Sequence, residues 1–143
     1  MQVHEVPTRL RGKPSWLLNR VSARTHRLIG DTMTAAGAHA YQFAILAALA
    51  EFGPESQVQI GQRCGIDQSD MHTMIKELVA QGHVARAPDP ADHRRNLISL
   101  STAGRRRLEE LDTALTQVQQ DILAALSATE RDKLIELLTR ILA

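Results

Sequence analysis

Between Ser56 and Gly82 the chain has few ways to fold. Ser56-Gln57-Val58-Gln59 has the S-x-x-Q form of a capping box, in which two side chains satisfy orphan amides at a helix start. The helix it opens runs to about Cys64, where Gly65 permits a sharp turn. Asp67 can cap a further helix that continues through Gln81, with Gly82 as its stop. Two helices joined by a tight glycine-containing turn form a helix-turn-helix. Val84 to Ala87 and Leu97 to Leu100 then read as short strands of a hairpin, and Pro88 and Pro90 confine their facing ends to a sheet edge.

The rest of the chain reads as helix around this unit. Residues 1 to 14 contain Pro7, Gly12 and Pro14 without an apolar period, so they read as a loose arm, made basic by Arg9, Arg11 and Lys13. Ser15 is a candidate cap for a long first helix that reaches Gly37, and residues 39 to 52 fit a second, ended by Gly53-Pro54. Leu108, Leu111, Leu115, Val118, Ile122 and Ala125 follow one another at steps of three and four, a heptad-like stripe that wants a partner helix. A second capping box, Ser127-Ala128-Thr129-Glu130, opens the last helix, whose apolar face is Leu134, Leu137, Leu138, Ile141 and Leu142.

Composition supports packed helices. Hydrophobic residues make up 43% of the 143 but aromatic ones only 3%, so the core must be aliphatic, and a chain of this size buries one without disulfides or metals. The single cysteine excludes an internal disulfide framework and fits a reducing compartment. There is no basic-then-apolar leader and no apolar run near the roughly 20 residues that span a bilayer. A cytoplasmic protein with no membrane partner is expected.

A net charge of +1 decides nothing about partners, but its distribution does. Arg86, Arg94, Arg95, Arg105, Arg106 and Arg107 face only Asp89 and Asp92 in the same stretch. In the helix from Asp67 to Gln81, Met71, Met74, Ile75, Leu78 and Val79 make one buried face at helical spacing. The opposite face offers Gln68, Ser69, His72, Thr73 and Lys76, side chains suited to base edges and phosphates. A solvated face is the competing reading. The flanking short helix and basic hairpin favour DNA, because one helix reads bases while its neighbours grip phosphates and fix register. An arginine pair at the hairpin tip can reach phosphates or a narrow minor groove. Here Asp92 is expected to hold Arg94 while His93 and Arg95 point outward.

These residues resemble the MarR (multiple antibiotic resistance regulator) family. The likeness is carried by Gln59-Ile60-Gly61 through Cys64-Gly65-Ile66, and by Ser69-x-Met71-x-x-Met74-Ile75-x-x-Leu78 with Gly82-x-Val84. Asp89-Pro90-x-Asp92-x-Arg94 and Leu100-Ser101-x-x-Gly104 complete it, the wing motif being the most specific part. The resemblance implies a mainly α fold, a winged helix-turn-helix with a short β-hairpin wing and N- and C-terminal dimerisation helices. One domain over residues 1 to 143 is expected, with 15 to 36 and 101 to 143 as dimer helices and 39 to 100 as the DNA lobe. It further implies a homodimer on a near-palindromic operator, usually a repressor, released by a small phenolic or otherwise aromatic effector or another signal. Dimer contacts are expected from Leu108, Leu111, Leu115, Val118, Ile122, Leu134, Leu138 and Ile141. DNA contacts are expected from Gln68, Ser69, His72 and Thr73 to bases and from Ser56, Gln57, Lys76 and Arg95 to phosphates, supported by Asp92 with Arg94 beside His93.

Several residues keep two readings. Trp16 and His39 are candidates for an effector cleft, against Trp16 as dimer core and His39 as a helix cap. Arg20 and Arg24 either pair with an anionic ligand or are solvated. Cys64 reads as a small buried hydrophobe rather than a redox sensor, which would need an exposed thiol of lowered pKa. The six histidines show no zinc-ligand spacing, and no cofactor is expected. An enzyme built on His93 and Asp92 would lack a preorganised site, so no catalytic function is expected. An effector-independent architectural or activator protein on DNA is the alternative to a ligand-responsive repressor.

Overall fold

The structure is a computed structural model and describes residues 2–143. A single 3₁₀ turn, Val3–Glu5, precedes α1 (Thr8–Arg11) and α2 (Pro14–Ala35). Then follow α3 (Ala40–Phe52), α4 (Gln57–Cys64), α5 (Gln68–Ala80), strands β1 (Val84–Asp89) and β2 (Asp92–Leu100), α6 (Thr102–Ile122) and α7 (Ala128–Leu142). The architecture is mainly helical with one antiparallel hairpin, as the sequence predicts. Among the described residues no single helix is long and apolar enough to cross a membrane.

Local signals set most boundaries. Ser56 and Gln59 form the expected reciprocal cap, with the Gln59 amide donating to Ser56 Oγ over 3.2 Å and the Ser56 amide to Gln59 Oε1 over 3.0 Å. Ser127 and Glu130 do the same for α7. Gly65 closes α4 at φ +68°, a left-handed conformation that side chains rarely adopt. Three expected element bounds need correction. The basic arm is partly helical, because Pro7 presets the backbone for α1. Pro14, not Ser15, opens α2, a position where a missing amide costs nothing. The strands are longer than expected and run through Pro88, with the register irregular between Pro88 and Asp89.

The chain divides into two compact units, one of residues up to Leu28 with Leu115–Ala143 and one of Ile29–Ala114. The second holds an aliphatic core in which Met33, Ile45, Leu46, Ile60, Met71, Ile75, Leu78, Ile98 and Leu111 are at most 1% exposed. Met71, Ile75 and Leu78 face it from α5 as predicted, but Val79 is 40% exposed. A short bridge joins Glu55 to Ile98 through Ile98 N–H to Glu55 O (2.8 Å) and Glu55 N–H to Ile98 O (3.2 Å), giving the hairpin a third partner. At the start of α6, Ser101 Oγ donates to Gly82 O (2.6 Å) and accepts from the Gly104 amide (2.9 Å). A Cβ at Gly104 would lie 2.0 Å from His83 O, so only glycine permits this approach.

In the first unit, Arg131 Nε donates to Leu123 O (3.2 Å) and Leu126 O (3.1 Å), fixing the turn between α6 and α7. The heptad-like stripe is used differently from expectation. Leu111 is 1% exposed and Leu115 and Val118 are each 8% exposed, so the chain itself covers these three. Ala125 lies in the turn beyond α6. Leu108, Ile122, Leu134 and Leu138 are half-buried and Ile141 is exposed.

Candidate nucleic-acid interface

The turn between α4 and α5 is tight because Gly61 has no side chain. A Cβ there would come within 2.5 Å of Gln68 Nε2 and 2.9 Å of Ile66 O. Asp67 caps α5, with Oδ1 accepting from the Asp70 amide (2.9 Å) and from Ser69 Oγ (2.7 Å). Those bonds hold the Asp67 carboxyl below the usual carboxylate range, while Asp67 itself pushes Asp70 upward.

From this fixed start α5 exposes Gln68, Ser69, His72, Thr73 and Lys76 on one face. Two of them already hold intramolecular bonds: Ser69 donates to Asp67, and Thr73 Oγ1 donates to Ser69 O over 3.3 Å. Ser56 is likewise engaged as a cap, and Gln57 is half-buried beside it.

The hairpin places its charges by two ion pairs. Arg94 Nε lies 2.9 Å from Asp92 Oδ1, the pair the sequence suggests, with the Arg94 side chain 91% exposed and His93 exposed beside it. Arg95 departs from expectation. It is not simply outward, since its Nε donates to Asp89 Oδ2 over 2.8 Å. Asp89 is 6% exposed and also accepts from the Ala91 amide (2.9 Å), so one carboxylate ties the tip turn to β2. The Arg95 guanidinium and the Ala91 amide hold the Asp89 carboxyl below the usual range. Arg94 does the same for Asp92.

Two shallow grooves border α5. One, of about 330 Å³, is lined by His72, Lys76 and Val79 with Arg86 of β1; the other, of about 420 Å³, by His72, Thr73, Lys76, Glu77 and Ala80. Arg86 is the residue a site prediction from sequence passes over. The sequence shows it only as one member of the basic cluster, within a strand, whereas the hairpin places it across a groove from Lys76. A helix face of amides, hydroxyls and cations, flanked by a cationic groove and a cationic hairpin, can hydrogen-bond base edges while neutralising phosphates.

The effector candidates separate. Trp16 and Arg20 share a concavity of about 480 Å³ in the first unit with Val6, Leu17, Arg24 and Arg27, and Arg20 Cζ lies 5.6 Å from the Trp16 ring centroid. His39 instead caps α3, its Nδ1 accepting from the Tyr41 amide (3.0 Å). Cys64 is half-buried, its Sγ 3.5 Å from Ala44 O, and burial pushes its thiol pKa up, opposite to what a redox sensor needs. Among the described residues no cluster of His, Cys, Asp and Glu is arranged to hold a metal ion.

Comparison with known proteins agrees with this geometry. A profile of the MarR family matches residues 33–95. The transcriptional repressor NicR of Pseudomonas putida is 29% identical over 101 residues, 71% of this chain; the match spans 64% of NicR's length. A probable transcriptional regulator from Pseudomonas aeruginosa is 32% identical, with a TM-score of 0.82 over 92% of this chain and 98% of its own. BpsR of Bordetella bronchiseptica, whose DNA binding is regulated by 6-hydroxynicotinic acid, is 29% identical with a TM-score of 0.83 over 95% of this chain and 97% of its own. The helix-turn-helix, the hairpin wing and these likenesses together establish that the chain belongs to the MarR family of winged-helix transcriptional regulators.

Proposed function

We propose that the protein is a sequence-specific repressor that binds a near-palindromic operator as a homodimer and releases it on binding a small aromatic acid. The observation that carries this reading is the exposed polar face of α5 beside the cationic hairpin. The α5 helix enters a major groove, where Gln68, Ser69, His72 and Thr73 meet base edges. Ser69 and Thr73 do so by exchanging their intramolecular bonds for bonds to DNA. Ser56, Gln57 and Lys76 contact phosphates, and Arg94 and Arg95 bring positive charge to the adjacent minor groove, where the potential is most negative, with His93 beside them as a hydrogen-bonding side chain. Each subunit acts as one domain, residues 15–36 and 101–143 serving the dimer and 39–100 the DNA lobe.

The effector site is the concavity of Trp16 and Arg20. An aromatic ring packs on Trp16 while Arg20 and Arg24 neutralise a carboxylate. Regulation of BpsR by 6-hydroxynicotinic acid supports a ligand of this class. Ligand binding favours lobe spacings that no longer match successive major grooves. The protein works in the cytoplasm, where its operator is found.

The test is binding of the purified protein to the duplex upstream of its own gene and to a scrambled duplex, at two salt concentrations, with and without 6-hydroxynicotinic acid. Selective binding weakened by the acid is the expected result. Equal, weak binding to both duplexes would overturn the operator reading. Selective binding indifferent to aromatic acids would favour the architectural or activator role.

A further inference from the structure

Three polar side chains are buried in the second unit: Gln42, Glu55 and Asp89. Arginines answer two of them, Arg63 pairing with Glu55 at 2.7 Å and Arg95 with Asp89 at 2.8 Å. Gln42, 3% exposed, is answered differently. Its Oε1 accepts from the His39 amide at the N-terminus of α3 (3.2 Å), and its Nε2 donates to Glu77 Oε2 of α5 (3.0 Å). One buried amide therefore joins the cap of α3 to the helix that presents the polar face.

Glu77 follows Thr73 by one helical turn and lines the same groove as His72, Thr73 and Lys76. The apolar contacts of Met71, Ile75 and Leu78 are strong but without direction, so they press α5 onto the core while tolerating small rotations and slides. A hydrogen bond has direction. The bond from Gln42 fixes the rotation of α5 about its axis and its slide along α3, the two coordinates that decide which side chains meet which base edge.

We infer that Gln42 is a positioning residue for sequence discrimination, acting through Glu77 on the orientation of α5. This rests on the reading of α5 as the DNA-contacting helix. The chemistry permits a charge swap: in a Gln42→Glu/Glu77→Gln pair, the new amide at 77 donates to the new carboxylate at 42, whose second oxygen still accepts from the His39 amide. Gln42→Glu alone sets two carboxylates against each other, and Gln42→Leu leaves Glu77 and the His39 amide without this partner.

The experiment measures fluorescence anisotropy of the full chain and these three variants on the upstream and scrambled duplexes, across a salt series, with melting temperatures recorded alongside. Each single variant is expected to lower the ratio of selective to scrambled affinity by about tenfold while leaving scrambled-duplex affinity and salt slope unchanged. The swapped pair is expected to restore the ratio. A merely structural role would weaken binding to both duplexes in step with the melting temperature, and that outcome overturns the inference. So does a folded Gln42→Leu protein with wild-type discrimination. If the single variants do not fold, the swapped pair decides: a restored ratio supports the inference, and a folded pair that does not discriminate overturns it. Failure of the underlying reading shows in the wild type alone, as an absence of discrimination.

Discussion

At the scale of single residues, the wing depends on where two aspartates find their arginines. Asp92 and Arg94 lie two apart in one strand, so their pairing is legible from spacing. Asp89 and Arg95 meet only because the hairpin folds back between them, and no spacing rule shows that. The Asp89 carboxyl is held below its ordinary value, so its stabilisation of the wing is complete above the unfolded pKa of about 3.9 and disappears as pH falls through the lowered folded value. Hydrogen-exchange protection of the Ala91 amide is therefore expected to hold from neutral pH to about pH 4 and to fall only under stronger acid. In Asp89→Asn that protection should be low at every pH. Full protection in the variant would show that the tip turn does not need the carboxylate.

At the scale of elements, the proposed docking of α5 in a major groove carries one DNA strand along the groove between α5 and β1. When α5 lies in a major groove and the hairpin tip reaches the next minor groove, the intervening sugar-phosphate strand crosses the groove lined by His72, Lys76 and Arg86. Arg86→Ala is then expected to weaken binding to upstream and scrambled duplexes alike and to reduce the salt slope by about one. An unchanged slope would place the backbone elsewhere. The helices themselves were legible, because capping boxes at Ser56 and Ser127 and glycine stops act within a few residues. The strand ends and the Glu55 bridge were not, since both depend on pairing across distant parts of the chain.

At the scale of the whole molecule, the first unit leaves Leu17, Leu18 and Val21 of α2 and Ile135, Leu137, Ile141 and Leu142 of α7 at least 40% exposed. Large exposed apolar side chains in such numbers are what an association surface provides. On the proposed homodimer, Leu137→Glu with Ile141→Glu is expected to shift sedimentation from dimer to monomer and to abolish operator binding, because two half-sites require two linked lobes. A double variant that still sediments as a dimer would exclude this face from the subunit contact. The period of α7 leaves Leu137, Ile141 and Leu142 exposed, whereas on α6 Leu111, Leu115 and Val118 are spent on the chain's own packing rather than on a partner helix. Periodicity tells that a face will be covered and is silent on what covers it.

The sequence alone determined the order of helices, the turn at Gly65, the hairpin and the polar face of α5, because each follows from local backbone preferences and apolar period. Tertiary structure decided which polar groups answer one another: Arg95 with Asp89, Gln42 with Glu77 across 35 residues, and Arg86 beside Lys76. The division has a physical cause. Caps and amphipathic periods are satisfied within a few residues of chain, whereas a buried carboxylate or amide finds its partner only after the core has brought distant segments together.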